Sequence, residues 1–212
     1  MLPLTTDQQL DVLCLGAHPD DIEIGCGGTL LTLAARGTTR FTSLVLTGDG
    51  LREDESRKAL DELAPGIEAR FAHLDDGHLP AQWRQAKELL EELARNTQPP
   101  HLVLAPRSDD AHQDHALVGQ LVGTVWRYAV VLHYEIVKWD GDLVTPNTYV
   151  PLPVELARRK VDVLNACFGS QVERDWWDDE TFFGLMRLRG VESRSRYAEG
   201  FHTSKMLLGL GP

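Results

Sequence analysis

The apolar positions of this chain fall into short runs separated by longer amphipathic segments, and that alternation predicts its elements. Residues 11–15 (Asp-Val-Leu-Cys-Leu) form an apolar run closed by Gly16-Ala17, as a buried strand requires. Gly27-Gly28 then opens a helix expected over 29–36, with Gly37 as its stop. A second strand is expected at 41–46 and a second helix at 52–63, where Leu60 and Leu63 share a face. Residues 67–74 alternate as a third strand, and 83–94 carry the stripe Leu89, Leu90 and Leu93 of a third helix. A strand at 101–105, a helix at 117–128 and a strand at 130–137 complete the regular part.

Strands alternating with helices of this length predict an α/β fold, a Rossmann-like and mostly parallel sheet covered by helices on both faces. Ligands of such folds bind in the crevice beyond the carboxyl ends of the strands. After Asp140 the alternation fades. Pro146, Pro151 and Pro153 lead into a helix expected at 154–168, and another is expected at 178–189. No long flexible linker precedes this part. The chain therefore reads as a single domain over 1–212, with an α/β core at 1–140 and a C-terminal extension at 141–212.

Composition narrows the function. The 212 residues suit one domain with its own core, and 42% hydrophobic with 25% charged residues is ordinary for a globular protein. A net charge of -11 argues against nucleic acid or anionic membranes as partners. No apolar stretch approaches the ~20 residues of a membrane span. The first ten residues lack the basic start and apolar centre of a secretion signal. Cys14, Cys26 and Cys167 are odd in number and irregularly spaced, as buried thiols of a reducing compartment would be, so the expected location is cytoplasmic.

The chemistry-bearing residues cluster at two strand ends. Gly16-Ala17-His18-Pro19-Asp20-Asp21 places one imidazole and two carboxylates after the first strand, and Asp110, His112, Asp114 and His115 follow the fourth. His18 and Asp21, three residues apart on a turn, can point to one side while Asp20 points elsewhere. With His115 they make a two-histidine, one-carboxylate set that suits zinc with an open position for water, and iron(II) suits the same donors. One carboxylate leaves the ion enough charge to acidify water and polarise a carbonyl, and Asp20 is placed to accept the proton. Each piece alone has a plainer reading: a turn in which Asp20 or Asp21 caps a helix, or surface histidines in an acidic loop. Their occurrence on strand ends of one sheet favours the metal site. Gly25-Cys26-Gly27-Gly28 lacks both the dinucleotide spacing and the Walker lysine, so close backbone approach is its expected role.

Residues 17–28 (Ala-His-Pro-Asp-Asp-Ile-Glu-Ile-Gly-Cys-Gly-Gly) and 110–115 (Asp-Ala-His-Gln-Asp-His) resemble the two signature motifs of the PIG-L (LmbE-like) zinc-dependent N-acetylglucosaminyl deacetylases. Arg52 with Glu55, Asp76-Gly77-His78-Leu79 and Arg196-Tyr197-Ala198-Glu199-Gly200-Phe201 extend the resemblance in order along nearly the whole chain. It implies removal of an N-acetyl group from a small N-acetylglucosamine-containing conjugate. His18, Asp21 and His115 would hold zinc, and Asp20 would act as general base on the water that zinc activates. His112 would stabilise the oxyanion as an imidazolium, held by the Asp114 carboxylate, and Arg52 and Asp76 would contact the sugar. A homo-oligomer is a further implication. Gln113 departs from the family's usual proline, which loosens the backbone beside His112.

Two other functions are compatible with these residues: a zinc amidase or esterase acting on a non-sugar acyl substrate, and a non-catalytic nucleotide-binding or sensory domain of the same fold. The intact set of His18, Asp20, Asp21, His112 and His115 argues against the second. Trp176 and Trp177 offer aromatic faces for a sugar, although neighbours on a helix diverge, so one of them is expected in the core. Glu199 and His202 are expected in a tail packed on the sheet edge, and His73, His78, His101 and His133 in structural roles.

Overall fold

The computed structural model describes residues 8–207. Five strands are parallel: β1 (Leu10–Gly16), β2 (Thr39–Thr47), β3 (Glu68–Leu74), β4 (Leu102–Pro106) and β5 (Val130–Tyr134). Two more, β6 (Thr148–Leu152) and β7 (Tyr197–His202), extend the sheet antiparallel, giving the order β3-β2-β1-β4-β5-β7-β6. Six helices cover it: α1 (Asp21–Ala34), α2 (Gly50–Leu63), α3 (Trp83–Asn96), α4 (Gln113–Val125), α5 (Val154–Cys167) and α6 (Asp179–Ser193).

Alternation along β1 explains the two-faced core. Val12 and Cys14 face a layer with Leu30, Leu63, Leu164 and Phe182 from α1, α2, α5 and α6. Leu13 and Leu15 face the opposite layer, with Leu90 and Leu93 of α3 and Val118 of α4. The chain winds outward from β1 through β2 to β3, then returns to place β4 on the other side of β1. The carboxyl ends of β1 and β4 therefore part at the switch point of the winding, where a crevice opens. Both motif clusters leave the sheet there.

The structure corrects three expectations. The first helix begins at Asp21 rather than 29, and it absorbs the glycine-rich tetrapeptide, with a break at Cys26 (φ -143°, ψ 19°). Gly25 is required by contact: a Cβ there would lie 2.1 Å from the ring of Tyr134, which is fully buried and donates its hydroxyl to the Leu15 carbonyl at 2.6 Å. The fifth strand ends at Tyr134 instead of 137. Most consequentially, the 141–212 segment contributes two strands, and β7 lies inside the sheet between β5 and β6 rather than on its edge. Tyr-Ala-Glu-Gly-Phe-His carries no apolar alternation, because its buried Glu199 is matched by a buried Lys160 from another element. Among the described residues no helix is long and apolar enough to cross a membrane. All three cysteines are unpaired and buried.

Candidate metal centre

The turn between β1 and α1 is held from below. The Ala17 carbonyl accepts from both the backbone N–H and the hydroxyl of Thr47, at 2.9 and 2.7 Å, which ties the turn to the end of β2. Asp21 Oδ2 accepts the N–H groups of Ala17 and His18, each at 2.8 Å, so this carboxylate folds back under the turn. Asp20 occupies the position before α1 with φ 119°, but its side chain makes no capping hydrogen bond. Neither aspartate therefore acts as a helix cap. A non-glycine residue at such a φ carries about 1–3 kcal/mol of strain, which a structure tolerates where the conformation has a use.

The second cluster is organised by α4. The His112 ring caps the helix, its Nδ1 accepting the Asp114 N–H at 3.3 Å, while Asp110 Oδ1 accepts the His112 N–H at 2.8 Å. Asp114 and His115 occupy the first turn of α4 and are buried. The two clusters then meet. His18 Nδ1 stands 3.0 Å from His115 Nε2, His115 Nε2 stands 3.1 Å from Asp21 Oδ1, and Asp21 Oδ2 is 3.6 Å from His18 Nδ1. The two histidines meet different oxygens of Asp21, Oδ1 for His115 and Oδ2 for His18. Among the described residues, the groups with one donor atom per residue within 4.8 Å of one another are His18, His112 and His115, and His18, Asp76 and Asp114. The expected set with Asp21 is not itself one of these groups, and His112 is drawn close as well.

The outer edges of His18 and His115 meet carboxylates. His115 Nδ1 is 3.2 Å from Asp110 Oδ1, and His18 Nε2 is 3.2 Å from both Asp114 Oδ2 and Asp76 Oδ1. Carboxylates at that position fix the tautomer and turn the free nitrogen toward the ion. Here Asp114 departs from its expected contact. Its carboxylate accepts the N–H groups of Gly77 and Leu79, at 2.8 and 3.0 Å, and faces His18; only its backbone N–H reaches His112. The protonation expected of His112 changes too. A ring whose Nδ1 accepts a backbone N–H is neutral, with its proton on Nε2. Burial and the positive charges of His115 and His18 act in the same direction, lowering its pKa.

The neighbouring aspartates are driven apart. Burial lifts the Asp20 carboxyl to about 6, although the Arg52 charge opposes it. Burial also opposes ionisation of Asp21, yet the charges of His115 and His18 hold that carboxyl well below its usual range. For His18, burial acts to lower the pKa, but the Asp21 charge and hydrogen bonds to Asp114, Asp21 and Asp76 raise it well above the ordinary value. Burial likewise works against protonated His115, and the Asp21 charge with the Asp110 and Asp21 hydrogen bonds carries it to about 9. Neighbouring carboxyls driven apart in this way are suited to different roles.

Above these residues lies a cleft of about 330 Å³ whose walls include Arg52, Asp76, Lys138, Trp139, Arg174 and Trp176. Arg52 donates to Asp76 Oδ2 at 3.1 Å, to the Pro19 carbonyl at 3.1 Å and to Asp20 Oδ2 at 3.4 Å, so it braces Asp20 as well as lining the cleft. Glu55 does not line the cleft; it accepts from the N–H and hydroxyl of Ser170, which anchors the loop carrying Arg174 and Trp176. Trp139 Nε1 donates to Asp175 at 2.7 Å, its ring lies under the Arg174 guanidinium at 5.6 Å, and it meets Trp176 edge-on at 6.0 Å. Trp177 is the core member of the tryptophan pair. His202 pairs with His133 across β7 and β5 and lies outside the cleft.

Sequence reasoning did not single out Lys138, Trp139 or Arg174, and it left Asp110 without a role. Lys138 and Trp139 closely follow β5, a third strand end on the edge already carrying the motifs, and that position was the available signal. A larger cleft of about 690 Å³ opens at the opposite edge of the sheet, beside Asp11, Thr39 and Glu68. Among the described residues it gathers no group of metal donors.

Comparison with known proteins shows the family and the fold. A family model described as PIG-L: GlcNAc-PI de-N-acetylase matches residues 13–126, more than half of the chain. The uncharacterized deacetylase YaiS of Escherichia coli (strain K12) is 34% identical over 128 residues, covering 55% of this chain and 68% of that protein. The N,N'-diacetylchitobiose deacetylase of Pyrococcus horikoshii superposes with a TM-score of 0.70 at 22% identity, over 93% of this chain and 84% of its own. GalB, a 4-carboxy-2-hydroxymuconate hydratase of Pseudomonas putida KT2440, superposes at 0.76 with 17% identity, over 96% and 99% of the two chains. At those identities the superpositions speak for the fold, while the family match and the E. coli relative speak for descent. The chain belongs to the PIG-L family of deacetylases.

Proposed function

We propose that this protein is a zinc-dependent hydrolase that removes the N-acetyl group from an N-acetylglucosamine-containing conjugate. The observation that carries the reading is the convergence of the His18, His115 and Asp21 side chains, with His18 Nδ1 3.0 Å from His115 Nε2, beside an Asp20 carboxyl braced by Arg52. Zinc bound by these three residues supplies a Lewis acid that acidifies water and polarises the acyl carbonyl. Asp20 accepts the proton of the attacking water, a task matched to its raised pKa of about 6. His112, fixed as the neutral tautomer, donates its Nε2–H to the oxygen that gains charge, the kind of contact that often dominates amide hydrolysis. The proton held on Asp20 then passes to the leaving amine.

The cleft supports a ring-bearing substrate. Arg52 and the half-exposed Asp76 supply polar partners for sugar hydroxyls near the acyl group. Trp139 and Trp176 present ring faces and edges farther out, where the conjugate group would lie.

Acetate release from N-acetylglucosamine, its glycosides and simple N-acetyl amines by zinc-loaded protein tests the reading. Turnover confined to sugar substrates supports it. Turnover of non-sugar N-acyl amines alone transfers the assignment to a general amidase, and no turnover of any of them ends the hydrolase reading.

A further inference from the structure

α1 is broken, and the break is occupied. In a continuous helix the Gly28 N–H bonds to the Ile24 carbonyl. Cys26 departs from helical geometry between them, and an ion pair claims both groups. Gly28 N–H donates to Glu199 Oε1 at 2.8 Å, and the Ile24 carbonyl accepts from Lys160 Nζ at 2.6 Å. The Thr29 N–H and hydroxyl donate to Glu199 Oε2 at 2.7 and 2.6 Å. Lys160 Nζ and Glu199 Oε1 are themselves 2.6 Å apart, and the two residues are 3% and 4% exposed. One partner comes from α5 and the other from β7, so two distant elements converge on a single rung of α1.

Stability alone explains this arrangement poorly. A buried ion pair is a weak source of net stability, and apolar replacement of both partners is often neutral or better. An uninterrupted helix would satisfy the Ile24 and Gly28 groups without any charge. What the break changes is the direction of the first turn, Asp21 to Gly25. That turn begins at Asp20 and Asp21 and carries Ile24 into the wall of the cleft. Backbone contact keeps the break tight, since a Cβ on Gly28 would lie 2.5 Å from Leu152 Cδ1 of β6.

We propose that Lys160 and Glu199 are positioning residues for the metal centre. Wedged at the break of α1, the pair sets the angle of the first turn, and so places Asp21 against His115 and Asp20 against Arg52. The inference is independent of which acyl substrate the protein takes.

Coupling between two sites is reciprocal, so zinc must also stabilise the wedge. In the unaltered protein, adding zinc to the metal-free form should slow hydrogen exchange at the Gly28 and Thr29 amides more than at amides of α3. Equal protection of both regions, or none at Gly28 and Thr29, overturns the proposal. Two variants test it from the other side: the near-isosteric Glu199→Gln, and the double variant Lys160→Met/Glu199→Leu, in which α1 is free to close its own ladder. Each should bind zinc about 10–100-fold more weakly in competition with a chromophoric chelator, the range typical of residues that orient metal ligands. A variant that unfolds thermally as a cooperative unit yet binds zinc as tightly as the unaltered protein overturns it as well.

Discussion

Asp110 Oδ1 stands 3.2 Å from Nδ1 of His115, on the ring edge opposite the nitrogen that faces Asp21. The same oxygen accepts the His112 N–H at 2.8 Å and lies 3.0 Å from Lys138 Nζ. One carboxylate atom thus orients the His115 ring, fixes the His112 backbone, and ties both to the segment after β5, so on the proposed reading it serves a metal ligand and the oxyanion donor together. Asp110→Asn keeps the shape but loses the charge that these donors share. Zinc affinity should fall about 10–100-fold, measured by chelator competition, with the fold retained by circular dichroism. Unchanged affinity would leave Asp110 with a purely local role.

The proposed function gives the neighbours Asp20 and Asp21 different duties, and substitution should separate them. Asp20→Ala should retain zinc at one equivalent while turnover falls about 10²–10⁴-fold, the usual contribution of a positioned general base. His115→Ala should lose the metal itself, read by elemental analysis after gel filtration. A loss of zinc in Asp20→Ala would move that residue into the ligand set.

Trp139 is 62% exposed, yet three contacts hold it at the cleft: Asp175 on its indole N–H, Arg174 over its face and Trp176 at its edge. A side chain so fixed and so exposed is suited to meet a ligand. Trp139→Ala should raise KM for glycosides of N-acetylglucosamine roughly five- to tenfold, on the order of 1 kcal/mol of ring contact, and leave kcat nearly unchanged. KM for the free sugar should barely move. Equal effects on both substrates would place Trp139 outside the conjugate subsite.

Gly25 packs its backbone against the ring of Tyr134, and an added Cβ would lie 2.1 Å from that ring. The ring is buried and anchored through its hydroxyl, so it cannot easily retreat. Gly25→Ala should destabilise the protein by about 1–3 kcal/mol through overpacking. In a domain of this size, Tm should drop by roughly 2–4 °C for each kcal/mol, measured calorimetrically.

The parallel core and the sheet edge that bears the crevice were legible in sequence because β1 to β5 are short apolar runs, each separated by a helix with its own apolar stripe; the switch point needed the strand order. The pair β6 and β7 was not. Buried Glu199 and Gly200 make β7 look like a polar tail until Lys160 and the broken α1 are seen beside it. The cleft wall was similarly hidden, since Trp139 and Arg174 are far apart in sequence and carry no motif spacing. Asp114 shows a finer limit. The family resemblance implied a bond from its carboxylate to His112, but the carboxylate reaches across to the Gly77–Leu79 turn and to His18.

What the sequence by itself determined was the family and the edge of the sheet that bears the candidate reacting groups. The ligand types and the strand-end positions follow from local order, because a turn after a buried strand must leave the sheet at its carboxyl edge. Only the tertiary structure decided which nitrogen of His18 faces Asp21 and His115, and which direction the first turn of α1 takes. Those depend on contacts between residues far apart in the chain, His18 with Asp114 and Glu199 with Gly28, and no local pattern encodes them.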